Sequence, residues 1–277
     1  MSARSAVVAL AASCHPVPTI AVTAMGTVLA AAAGNPPGVV ALMLAAVLAG
    51  QLSIGWSNDL IDAERDRVAG RRDKPVAAGD IGRRQLGVAL AVATAAVVPL
   101  SLSLGWAAGA VHLLAVACGW LYDLGLKSTV LSPLAYAVAF GALPAVATLA
   151  RSTPALPPWW VLAAGALLGI GAHFGNVLPD LEDDRRTGVR GAPQRAGRIG
   201  ASVVAALAVL AAAGLLLVAA GAPSTAALLL GAVVAALAAS VVVAGVTGRR
   251  IGLAFGATML AAALCLAMLV LSGGLAA

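Results

Sequence analysis

The chain has 277 residues, 61% of them hydrophobic and 10% charged, with a mean hydropathy of +1.00. That composition excludes a water-soluble globular domain and describes a polytopic membrane protein. The formal charge of +6 does not signal a nucleic-acid binder, because the acidic residues share the polar segments of the basic ones.

Taken in chain order, MSARSAVVALAASC faintly resembles a signal peptide ending in a lipoprotein cysteine. Its apolar stretch is short and further spans follow, so an uncleaved first helix over 17–33 is expected. Runs near the twenty residues that cross a bilayer place further spans at 38–57, 85–105, 107–122, 129–150, 159–178, 200–220, 223–246 and 251–272. The expectation is an all-α bundle of nine transmembrane helices in one integral domain, 1–277. The second and sixth spans each end in a polar segment, about 58–84 and 180–199. The four helices between those ends suggest a duplicated half.

Loop charge alternates in step with the spans. Arg65, Arg67, Arg71, Arg72, Lys74, Arg83 and Arg84 follow the second span, and Arg185, Arg186, Arg190, Arg195 and Arg198 follow the sixth. With Arg4, Lys127, Arg249 and Arg250 these put every basic residue except Arg151 on one side, which the positive-inside bias makes cytoplasmic. Nine spans then leave the N-terminus inside and the C-terminus outside. Arginine outnumbers lysine fifteen to two, the usage of a GC-rich bacterial coding sequence. Cys14, Cys118 and Cys265 lie far apart in apolar surroundings without metal-ligand spacing and read as packing residues.

The polar segments repeat one spacing, N-x-x-x-D-x-x-x-D: Asn58, Asp62 and Asp66, then Asn176, Asp180 and Asp184. Four helical residues turn about 400° and rise about 6 Å, so each set forms a one-sided ridge. Two facing ridges make an oxygen-rich cleft suited to Mg²⁺ bridging to phosphate. Without cations such a cleft suffers like-charge repulsion. Asp59 and Asp183 add carboxylates beside the ridges. The island Tyr122-Asp123-Leu124-Gly125-Leu126-Lys127 supplies a lysine that can meet a phosphate as a point charge. Arg71, Arg72 and Lys74 suit the several oxygens of a diphosphate. His173 precedes Asn176 by three residues, on the face of the second ridge and deeper, where it is a candidate acceptor contact or base. His112 reads as structural, and His15 as lining the cavity or capping a turn. A cation carrier would hold its acids deep within the spans, whereas these lie at span ends.

These residues resemble the UbiA-type intramembrane prenyltransferases. Asn58, Asp62 and Asp66 match that family's first aspartate-rich motif, and Asp180 and Asp184 its second. Tyr122 and Lys127 match its Y-D-x-x-L-K element, and Lys74-Pro75 with Gly79 its basic, proline-bearing segment. The resemblance implies a bundle around a central lipid-facing cavity under a cytoplasmic cap. It implies Mg²⁺, two ions bridging to the diphosphate, held by Asp62, Asp66, Asp180 and Asp184. Catalytic roles fall to these aspartates, Lys127 and Tyr122, and diphosphate contacts to Asn58, Arg71, Arg72, Lys74, Lys127 and Asn176. The partners implied are a prenyl diphosphate donor, a lipophilic acceptor and the bilayer. No Arg or Lys stands between Ser5 and Ser57, and Gln51 is neutral, so the carboxylate-binding cation expected for a hydroxybenzoate acceptor is missing. A terpene cyclase on the same scaffold would need no acceptor.

Overall fold

A computed structural model describes residues 3–219, 221 and 223–275, with side chains from Ala6 onward. The Arg4 side chain and Ala220 of the predicted seventh span lie outside them. Twelve α-helices follow in order: α1 Ala3–Ser13, α2 Pro16–Ala32, α3 Pro37–Val68, α4 Pro75–Ala78, α5 Arg83–Ser103, α6 Trp106–Asp123, α7 Ser132–Leu149, α8 Trp159–Val177, α9 Leu181–Arg186, α10 Ala192–Ala219, α11 Thr225–Thr247 and α12 Ala254–Leu271. No strand occurs among the described residues.

A helix stands at each predicted span. Seven helices among the described residues are long and apolar enough to cross a membrane. An eighth span results if α1 and α2, bent by 68° at their junction, count as one. The separate α1 was not expected. It ends because His15 adopts a left-handed φ of 55°, and Pro16 then starts α2 without needing a backbone donor.

The two ridges differ in backbone. Pro37 opens α3, whose 32 residues make it ~48 Å long against a ~30 Å hydrocarbon core. Its last turns therefore project from the bilayer with Asn58, Asp62 and Asp66 on unbroken helix. The second ridge is not one helix. Leu178–Asp180 is a 3₁₀ turn carrying Pro179, so Asn176 lies in the last turn of α8, Asp180 stands on the 3₁₀ turn and Asp184 lies on α9. Proline removes the i→i−4 bond that would have continued α8. In α10, Gly197 at φ 73° breaks the helix, which is why its apolar run reads from 200.

Small residues close the bundle. Helices α7 and α8 meet at Gly141, Gly165 and Gly169, and a Cβ on Gly165 would come within 2.7 Å of the Phe140 carbonyl. A Cβ on Gly169 would overlap the Tyr136 carbonyl. Backbone contact of this kind is how helices associate where lipid removes the hydrophobic drive. Gly169→Val is expected to force α7 and α8 apart at a cost of ~1–3 kcal/mol, read as a lower unfolding temperature in detergent.

Candidate active site

The C-terminal turns of α3, the loop after α6 and the α8–α9 connection meet around one polar cleft of about 1020 Å³ of open space. Asp62, Asp66, Asp180 and Asp184 all line it, with Asn58, Asn176, Tyr122 and the cations Arg65, Arg71, Lys74 and Lys127. The residues of the two ridges, more than a hundred positions apart in sequence, thus share one volume.

The first ridge is tightly held. Lys127 Nζ donates to both oxygens of Asp62 at 2.6 and 2.5 Å, and Arg65 Nη2 to Oδ2 at 2.8 Å. Asn58 Nδ2 donates to Asp62 Oδ2 at 3.2 Å and to Asp123 Oδ1 at 2.9 Å. Asp62 and Asp66 are each 5% exposed and Lys127 9%, so their charges are balanced mainly by one another rather than by water. Gly125, at φ 142°, lets the chain turn after α6 so that Lys127 folds back onto α3.

The second ridge is held by different partners. Arg71 Nη1 donates to Asp180 Oδ1 at 3.2 Å, while its Nε and Nη2 grip Asp73 at 2.9 and 2.8 Å. That two-point grip holds the Asp73 carboxyl down at about 2 and raises Arg71. The contact is therefore fully present above the ordinary carboxylate range and is lost as the pH falls through about 2. Gln194 Nε2 donates to Asp184 Oδ2 at 2.8 Å, and Arg185 Nε to the Gln194 carbonyl at 2.9 Å.

Several predicted residues stand elsewhere. Asp59 is sealed at 1% exposure behind the ridge, bound to Lys74 Nζ at 3.1 Å, with its Oδ2 unpartnered. Lys74 lines the cleft but is also tied to His15 Nε2 at 2.9 Å. Arg72 and Asp183 are exposed and outside the cleft lining. His173, 1% exposed, lines neither the cleft nor the chamber beneath it. Its Nε2 pairs with Ser132 Oγ at 2.9 Å, and Ser132 Oγ also accepts from Ala192 N–H at 3.2 Å. The reason is local. Tyr122, Tyr136 and Phe174 pack around the ring, so it ties α7, α8 and α10 together instead of facing the cavity.

Sequence reasoning gave no role to Asp123 or Gln194. Asp123, 3% exposed, accepts from Ser57 Oγ at 2.7 Å as well as from Asn58. The signal was present, a carboxylate in the same island as Lys127, but its partners lie 66 and 65 residues away. Asp123→Ala is expected to free Asn58 and slow turnover about 10-fold to 100-fold, with insertion unchanged, in a steady-state comparison with wild type.

Beneath the cleft lies an apolar chamber of about 1230 Å³ of open space. His15, Asn58, Tyr122 and Asn176 line both volumes. Ile54, Val116, Gly119, Ala139 and Phe140 are among the chamber walls, and no Lys or Arg lines it among the described residues.

The bundle thus sets a charged cleft over a greasy chamber. The chain belongs to the UbiA prenyltransferase family, whose model matches residues 19–252. Among solved structures it resembles the apo form of a UbiA homologue from Aeropyrum pernix K1, at 21% identity, 91% of this chain, 97% of the other and a TM-score of 0.74. A UbiA homologue from Archaeoglobus fulgidus bound to GPP and Mg²⁺ follows at 16% identity, 94% and 97% coverage and a TM-score of 0.72. A digeranylgeranylglyceryl phosphate synthase aligns over 98% of both chains at 16% identity and a TM-score of 0.65. A comparison with curated proteins returns no significant match.

Proposed function

We propose that the protein is a Mg²⁺-dependent intramembrane prenyltransferase, moving an isoprenoid chain from its diphosphate to a lipophilic, aromatic acceptor with release of pyrophosphate. The observation that carries this reading is the continuity of the two volumes: four aspartates and Lys127 around one cleft, which shares His15, Asn58, Tyr122 and Asn176 with an apolar chamber. A diphosphate fits the first and its tail the second.

The cleft's chemistry fits magnesium. Its acidic donors are all carboxylate oxygens. Mg²⁺ prefers that situation, because it keeps waters and takes one or two carboxylates with substrate phosphate. The A. fulgidus relative bound to GPP and Mg²⁺ supports the same ion here. Asp62 and Asp66 on one wall and Asp180 and Asp184 on the other would hold two ions. Bound there, Mg²⁺ would neutralise charge on the departing pyrophosphate.

The chain's own residues account for the rest. Lys127 and Arg71, now paired to Asp62 and Asp180, are placed to turn their N–H groups to phosphate oxygens, with Asn58 and Asn176 beside them and Lys74 adding charge. Tyr122 walls the junction where the allylic carbon would sit. A tail filling the chamber would keep water from the allylic cation. Nine crossings, with the N-terminus and both motif loops under a cytoplasmic cap and the C-terminus outside, belong to the same proposal, supported by the one-sided basic residues.

The absence of Lys and Arg from the chamber lining among the described residues favours a neutral acceptor over a carboxylate. The same observation supports a second reading, a terpene cyclase. Protein in nanodiscs, given C10, C15 and C20 prenyl diphosphates with Mg²⁺, separates the two by product mass spectrometry. Prenylated product only when a membrane-lipid or aromatic extract is added supports transfer. Cyclic hydrocarbon without any acceptor overturns transfer in favour of cyclisation.

A further inference from the structure

The chamber is not apolar throughout. His112 of α6 and Gln51 of α3 line it. His112 Nδ1 lies 2.7 Å from Ser101 Oγ, and Ser101 Oγ donates to the Val97 carbonyl at 2.5 Å. Two oxygens that close need the hydroxyl proton between them, so Ser101 has none left for the imidazole and Nδ1 must be the donor. In the neutral ring Nε2 therefore carries a lone pair, and it has no hydrogen-bond partner among the described residues. It is not among the sealed unpartnered polar atoms, so it keeps contact with the chamber. Glycine at position 50 leaves it open, since a Cβ there would stand 3.5 Å from Nε2.

The heights of these groups give them meaning. Gln51 comes seven residues before Asn58, ~10 Å along α3 from the cleft, and His112 ten residues before Tyr122, ~15 Å along α6. Above them the walls are Ile54, Ala115, Val116, Gly119 and Phe140. A turn below Gln51, Val47 and Leu143 continue the lining and pack near Gly26 and Met43.

We propose that His112 and Gln51 form a polar belt that penalises prenyl tails long enough to pass it, so that geranylgeranyl gains less over geranyl than its added apolar surface would give. This rests on the prenyl-diphosphate reading above. A geranyl tail, two isoprene units, is comparable with the ~10 Å between cleft and Gln51 and ends above the imidazole. A longer tail must slide past Nε2 and the Gln51 amide, stripping both of water and offering no hydrogen bond in return. Leaving one such group unpaired weakens binding about tenfold.

The test is equilibrium binding of non-ionising geranyl, farnesyl and geranylgeranyl thiolodiphosphates with Mg²⁺, which needs no acceptor. In wild type the gain in affinity from the geranyl to the geranylgeranyl analogue is expected to fall about tenfold short of that in His112→Leu. His112→Leu should raise affinity for the long analogue about tenfold and leave the geranyl affinity unchanged, and Gln51→Leu, should the first variant not fold, is expected to act in the same direction. An unchanged long-to-short ratio in the folded variants overturns the belt while leaving prenyl-diphosphate binding intact. No Mg²⁺-dependent binding of any analogue overturns the functional reading itself, and the belt with it.

Discussion

Asp62→Asn is expected to lower turnover at least about 10³-fold while the protein still inserts and folds. Asp62 is the most connected group in the cleft, taking hydrogen bonds from Lys127, Arg65 and Asn58. Asparagine keeps its size and one oxygen but removes the charge that a divalent ion requires. Because Lys127 and Arg65 lose their shared counter-charge, some stability is lost too. Steady-state rates should therefore be read beside an unfolding curve for the same preparation. A wild-type rate in the folded variant would remove Asp62 from the proposed metal site.

Lys127→Ala is expected to weaken donor binding by about 10-fold to 150-fold, the span set by the ~1.5–3 kcal/mol of a hydrogen bond to a charged group. The lysine is 9% exposed and donates to both oxygens of Asp62, so it is not a lysine reaching outward to mark a helix end. Its ammonium stands at the mouth of the chamber, where the donor's phosphates would replace Asp62 as its partner. Titration with a prenyl diphosphate and Mg²⁺ checks this, and unchanged donor affinity would return Lys127 to a purely structural role.

What could be read from the chain was whatever depends on local periodicity. Hydropathy located each long helix, and the four-residue spacing located both ridges, because helical geometry turns sequence intervals into directions. The second ridge shows the limit. Pro179 converts its middle to a 3₁₀ turn, yet Asp180 and Asp184 still reach the cleft because Arg71 and Gln194 hold them there. Long-range partners were not legible. Asp123 clamping Asn58, Lys74 pairing with one oxygen of buried Asp59, and His173 withdrawn into an aromatic cluster with Ser132 are outcomes of tertiary packing, which spacing does not encode. The place of His112 on the chamber wall was not legible for the same reason. Its sequence surroundings are wholly apolar, and only the Ser101 bond and the bare face at Gly50 reveal a nitrogen turned to the chamber.

The most direct test of the central claim is pyrophosphate release by purified protein in nanodiscs, supplied with prenyl diphosphates and a membrane-lipid or aromatic extract, with Mg²⁺ and after its removal by chelation. The account predicts release with Mg²⁺, none after chelation, and restoration when Mg²⁺ is returned. Release that continues undiminished without a divalent ion, or no release from any prenyl diphosphate with Mg²⁺ present, would contradict it.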